Sequence, residues 1–319
     1  MNQIISPRAP FWVLLVATTL STLSCGPGEG KQDSGADGNT NGKPQVYVVN
    51  YPLKYFAERI GGDLVDVHFP APADVDPAFW KPEPQIVNDF QSADLILLNG
   101  AKYAKWVERA SLSQTKLVNT TDAVSEQYIK VEDAITHQHG PTGEHTHKGL
   151  AFTTWLDPKI AIEQARAVKD ALVKQLPDQK VELEKRFSEL AKELQALDKR
   201  LEQIVAGKQD TPLFASHPVY QYLSRRYQLN VKSVHWEPDT TPDEEAFEEL
   251  TKLAAKHPAK WMLWEAEPTA KTIEILKSRG IQTIVFEPSG NTPASGDYRT
   301  NMIENATRLE SAFAGQRQE

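Results

Sequence analysis

The chain has a single cysteine, Cys25, in 319 residues. An intramolecular disulfide is therefore excluded, and any metal held by the folded body must be held through nitrogen and oxygen. Long hydrophobic runs are also scarce: the apolar stretch at residues 11–20 is too short to cross a bilayer of about 30 Å. There is no basic run, and the formal net charge is −8, so nucleic acid is not expected as a partner. P-loop, dinucleotide-fingerprint and nucleophile-elbow motifs are all missing, which removes the common nucleotide-dependent and acyl-transfer enzymes.

What is present begins with a leader. Arg8 precedes the short apolar run, which ends at Leu23, Ser24 and Cys25. That arrangement resembles a bacterial lipoprotein cleavage site, so residues 1–24 are expected to be a signal peptide and Cys25 the lipidated first residue. The alternative is a cleaved, soluble periplasmic form. Residues 25–43, rich in Gly, Ser, Asp and Asn, read as a flexible tether.

From residue 44 onward, short apolar strands alternate with amphipathic helices. Strands are expected at 46–50, 64–69, 94–99 and 116–119, with helices near 53–60, 84–91 and 102–110. Continuous apolar strands between helices predict a parallel sheet covered on both faces. The same alternation returns later, with strands at 212–216, 230–235, 261–264 and 281–286, and helices near 219–227, 242–256, 270–278 and 298–313. Between these halves, Asp157-Pro158 starts a helix as N-cap and first-turn proline. A longer helix is predicted over 178–205. Its residues Leu183, Phe187, Leu190, Leu194, Leu197, Leu201 and Ile204 alternate in spacings of four and three, which makes an apolar seam on one side. Asp198 falls among the charged residues of the other faces. The seam fits either a coiled-coil dimer or an intramolecular strut of about 40 Å, and its setting between two α/β halves favours the strut. The expected fold is thus α/β, with two Rossmann-like lobes of parallel sheet linked by a long rigid backbone helix. The first lobe spans 44–156, the helical linker 157–207 and the second lobe 208–319.

Ligands of open parallel sheets bind beyond the carboxyl ends of the strands. There the second lobe places His217 after one strand, Glu265 after another and Glu287 after a third. Each alone has a structural reading, as a hydrogen-bonding histidine or a helix cap. Three ligand-type side chains at one sheet edge point instead to a divalent cation, with zinc, manganese and iron all compatible. Asn50 and Asn99-Gly100 stand at strand ends of the first lobe and would face the same cleft, or serve only as turn residues. Residues 122–149 lose apolar periodicity and contain His137, His139, His145 and His147, four of the chain's eight histidines. Their pairwise i, i+2 spacing suits weak, accessory metal contact rather than a closed tetrahedral site. An enzyme using His217 with Glu265 or Glu267 as acid and base is a further, weaker reading.

At these residues the chain resembles the metal-binding solute-binding receptors of bacterial ABC transporters, of the ZnuA and TroA type. The likeness runs through Tyr51-Pro52-Leu53, Gly61-Gly62-Asp63, the segment from Ser92 to Gly100, Trp155-Leu156-Asp157-Pro158, the long helix, and the strand ends at His217, Glu265 and Glu287. It implies one divalent metal, zinc foremost, bound between two lobes and handed to an ABC permease by a monomer at the outer face of the cytoplasmic membrane or in the periplasm. It also implies that no reaction is catalysed. Two positions depart from the family. Where its members offer histidines, this chain has Ala78 and Thr153, neither able to replace an imidazole. The site expected from the resemblance therefore draws on the second lobe, with His145, His147 or His139 completing it, and Asp76, His235 and Glu267 as lesser candidates. The alternative is a degenerate site that takes a chelated metal or another small ligand.

Overall fold

The computed structural model describes residues 42–131, 136–138, 144–146 and 149–315. Cys25, His139 and His147 lie outside them. The first strand, β1 (Gln45–Val48), delivers the chain to Asn50, whose side-chain oxygen accepts from the Leu53 amide and caps α1 (Tyr51–Gly61). With Pro52 in its first turn, α1 starts as its sequence dictates. Then come β2 (Asp66–His68), α2 (Pro84–Ser92), β3 (Leu95–Leu98) and β4 (Leu117–Asn119). These strands form one parallel sheet in the order β2-β1-β3-β4.

The helix expected at 102–110 does not form; a short 3₁₀ turn, Lys105–Arg109, stands there. Gly100, Ala101 and Lys102 all have positive φ, so the chain enters the segment left-handed and loses the turn in which an α-helix would start. Gly100 cannot be replaced cheaply, since a Cβ there would meet Thr121 Oγ1 at 2.0 Å and Tyr128 Oη at 2.5 Å.

Residues 122–149 are not featureless. β5 (Lys130–Val131) pairs antiparallel with β8 (Gly149–Leu150), and β6 (Thr136–Gln138) with β7 (Glu144–Thr146), in a register that sets the His137 backbone opposite that of His145. A 3₁₀ turn, Thr154–Leu156, leads to α3 (Pro158–Gln175), capped by Asp157 through the Lys159 amide.

The long helix α4 (Lys180–Val205) has 26 residues and runs about 39 Å. Its seam is spent inside the chain: Leu183, Leu190, Leu194, Leu197, Leu201 and Ile204 are buried in the main core, and Phe187 is partly so. The helix packs on α1 and α3, and further along on α5 (Gln221–Tyr227) and α8 (Tyr298–Gly315). Asp198, expected on a solvated face, is buried. It accepts from Arg226 at 2.6 Å and from the Tyr227 hydroxyl at 2.9 Å, and so ties α4 to α5.

The second sheet contains β9 (Pro212–Ala215), β10 (Asn230–Ser233), β11 (Trp261–Trp264) and β12 (Gln282–Val285), interleaved with α5, α6 (Glu244–Ala254) and α7 (Ala270–Ser278). All pairs are parallel and the order β10-β9-β11-β12 repeats that of the first sheet. The chain from Lys43 onward forms one compact unit. Its last helix returns to the first half, where the Tyr298 ring packs on Tyr55 and Phe56 and its hydroxyl donates to the Trp155 carbonyl.

Glu193 joins three helices. It takes two 2.9 Å hydrogen bonds from Arg59 of α1 and lies 3.3 Å from Arg299 of α8. The Arg59 hydrogen bonds hold its carboxyl below the usual range. A depressed acid stabilises the fold above its ordinary pKa, and that contribution disappears as pH falls through the lowered value. Glu193→Gln is therefore expected to cost about 0.5–1 kcal/mol at pH 7, because the pair is partly exposed. In urea titrations the gap to the parent should close below about pH 4.

Candidate metal centre

His217 follows β9, the strand flanked on one side by β10 and on the other by β11. The residues leaving those strands are thereby brought to its two sides. The imidazole is 1% exposed. Its Nδ1 lies 3.5 Å from Glu265 Oε1, beyond β11, and 3.9 Å from Glu237 Oε1, beyond β10. The His235 ring stands edge-on to it with centroids 5.7 Å apart. Burial lowers the pKa of His235, with the Glu237 charge opposing the shift.

These groups border a cavity of about 350 Å³ whose walls differ in character. Glu237, Glu265 and Glu287 line it with His217 on the second-sheet side, while Phe79, Tyr103, Phe152, Trp155 and Asp76 line it from the first half. Phe152 packs edge-on against both Phe79 and Tyr103, and Tyr103 against Trp155. Desolvation, with the Asp76 charge adding to it, holds the Tyr103 phenol well above its ordinary pKa, so the phenol stays protonated at physiological pH. The two halves are knit beside the cavity. Trp155 Nε1 donates to the Pro288 carbonyl at 2.7 Å, the Tyr51 amide to Gly290, and Asn291 Nδ2 to the carbonyls of Pro72 and Val75.

The residues singled out from sequence fall into distinct places. His217 and Glu265 are neighbours at the cavity. Glu287 lines the same cavity, but no ion pair links it to His217 among the described residues. Burial raises its pKa, and the charges felt there are Arg308 and Glu304 of α8. Thr153 is buried and donates to the Val219 carbonyl at 2.5 Å. Ala78 is buried against a different hollow, lined by Trp80 and Trp106. Asp76 reaches the cavity wall and accepts from the Ala78 amide. Glu267 is exposed and borders a groove beside β12.

Asn50 and Asn99 do not face the cleft. Asn50 Nδ2 donates to Asn99 Oδ1, which also accepts from Thr154 and Gln164, and all four are buried. This network ties the ends of β1 and β3 to α3. Glu237 was not among the residues expected at the site. The strand expected at 230–235 hid it, since β10 ends at Ser233 and leaves His235 and Glu237 both beyond the sheet edge. Among the described residues, no three His, Asp or Glu side chains are already arranged to hold an ion.

Comparison with known proteins adds a second line of observation. The family described as ZnuA, zinc-uptake complex component A, periplasmic, matches residues 46–312. The high-affinity zinc uptake system protein ZnuA of Bacillus subtilis is 27% identical over 284 residues, covering 86% of each chain. The zinc-binding lipoprotein AdcA of Streptococcus pneumoniae is 25% identical over 281 residues, or 85% of this chain; the match spans only 56% of AdcA. Among solved structures, the metal-dependent lipoprotein YcdH of B. subtilis superposes with a TM-score of 0.71 at 25% identity, covering 84% of this chain and 98% of that one. The Zn(II)-bound ZnuA-like domain of S. pneumoniae AdcA gives the same TM-score at 22% identity, covering 85% and 98%. At that identity the likeness speaks for the fold.

The Thr153 hydroxyl is bound inside the structure, so Thr153→Val should lower stability by about 1–2 kcal/mol in urea unfolding, leaving the Val219 carbonyl unsatisfied. Unchanged stability with altered metal affinity would instead make Thr153 a ligand.

Proposed function

Because the chain belongs to the ZnuA family, we propose that it is an extracytoplasmic receptor that captures zinc in the cavity between its two lobes and delivers it to an ABC permease. The observation that carries this reading is the convergence of His217 and Glu265, from adjacent strands, on a cavity bordered by both halves of the chain. The zinc-uptake and zinc-binding names of the B. subtilis and S. pneumoniae relatives support zinc over manganese or iron. A buried imidazole with carboxylates is a donor set that suits this ion. The family is a component of an uptake complex, so binding and release are its work rather than catalysis.

The relatives named as lipoproteins support lipid attachment through Cys25 at the outer face of the cytoplasmic membrane. No helix among the described residues is long and apolar enough to cross a membrane. His137, His139, His145 and His147 serve as an accessory set that raises the local metal concentration. Glu287, on the wall of the same cavity, stands with His217 and Glu265 as a further candidate carboxylate donor. A second reading is a small chelated metal complex, favoured by a cavity much larger than one ion and by its aromatic wall of Phe79, Tyr103 and Phe152.

Elemental analysis and isothermal titration of the full chain in detergent test the proposal. One zinc per chain is expected, and His217→Ala should weaken binding by more than about a hundredfold, beyond the cost of losing a supporting residue. Zinc binding unchanged by His217→Ala would contradict the site. Binding only of a preformed chelate would favour the second reading.

A further inference from the structure

The segment after β10 carries a donor that the strand pattern alone conceals. The backbone of this segment stays hydrogen-bonded to the end of β9 with a one-residue slip in register: the Val234 amide donates to the Ala215 carbonyl at 2.9 Å, and the Trp236 amide to Ser216 at 2.7 Å. An extended segment alternates its side chains, so His235 and Glu237 share one face and Trp236 takes the other. Trp236 is anchored in the core against Phe247 and Trp264. That anchor holds the opposite face toward His217. Beyond it, the Pro238 carbonyl accepts from the Thr269 amide, which fixes the exit of the segment to the start of α7.

Two spacings to His217 approach those of donors that share one ion, although the three side chains as they stand form no ready-made site. In a tetrahedral zinc site with bonds of about 2.0–2.1 Å, neighbouring donors lie about 3.4 Å apart. Glu265 and Glu237 stand 3.5 and 3.9 Å from His217 Nδ1, beyond the length of a direct hydrogen bond and near that tetrahedral edge. Both carboxylates are about a quarter exposed, at 27% and 23%, and line the cavity, so neither is locked in a packed core. The His235 ring, edge-on to His217, limits how that imidazole can turn.

We infer that Glu237 is a zinc ligand, so that three adjacent strand ends of the second sheet supply Glu237, His217 and Glu265 as one donor set. The inference rests on the zinc-receptor reading above and adds a specific residue to it. It also adds one donor from the second sheet to a chain whose first half lacks histidine at positions 78 and 153.

The test measures zinc affinity by chelator competition on the full chain in detergent, together with the visible absorption of the Co(II)-loaded protein, which reports the donor set. Glu237→Gln is expected to weaken zinc binding by about tenfold or more and to shift the Co(II) bands, and Glu237→Asp to retain the parental bands with a smaller loss. Glu267→Gln, on the exposed rim outside the cavity, should match the parent. Affinity within about twofold of the parent for Glu237→Gln, or a loss with unshifted Co(II) bands, overturns the ligand assignment and leaves the zinc-receptor reading intact. A parent chain that binds no zinc overturns both.

Discussion

Parallel pairing is the constraint on which the site depends. Neighbouring parallel strands lie about 4.8 Å apart and finish at the same edge, so the residues that follow them are forced together whatever their sequence separation. With β9 between β10 and β11, the residue after β9 receives neighbours from both sides. That residue is His217, and the neighbours are Glu237 and Glu265. The first sheet repeats the order, yet at its strand ends Asn50 and Asn99 are buried and bonded with Thr154 and Gln164. One topology thus places a histidine and carboxylates at the sheet edge in one half and a buried amide network in the other. The difference lies in the side chains, as expected when function is grafted on a common fold.

The long helix gives this asymmetry a fixed frame. Its leucine seam is consumed by both halves, and Glu193 and Asp198 add polar ties to α1, α8 and α5. Because α8 crosses back to α1 and Trp155, the cavity has a rigid back and a knit floor. On the proposed function, capture in such a frame would rely on side-chain rotation and local loop movement more than on a wide swing of the lobes.

Much of the fold was legible because its signals are local. Apolar strands of four residues, the Asp157 cap and the period of the α4 seam read directly from sequence, with ends displaced by one or two residues. Tertiary effects decided the rest. Positive φ at Gly100, Ala101 and Lys102 abolished an amphipathic helix. Asp198 looked solvated until Arg226 and Tyr227 were brought to it from α5. Of the site, His217 and Glu265 were legible from the strand-end rule. Glu237 was hidden because the rule depends on where a strand stops, and an edge strand with the burial of β10, mostly exposed, gives a weak stop signal. Thr153 and Ala78 read as departures from a family pattern; only the structure shows one tied to Val219 and the other turned to another hollow.

The central claim, a metal centre built from the strand ends of the second sheet, is tested most directly by an anomalous difference map at the zinc edge from crystals of the metal-loaded chain. The account predicts one peak between His217, Glu265 and Glu237, about 2.0–2.1 Å from the imidazole nitrogen. A peak held by first-half residues, or by the histidines at 137–147 without His217, would contradict it.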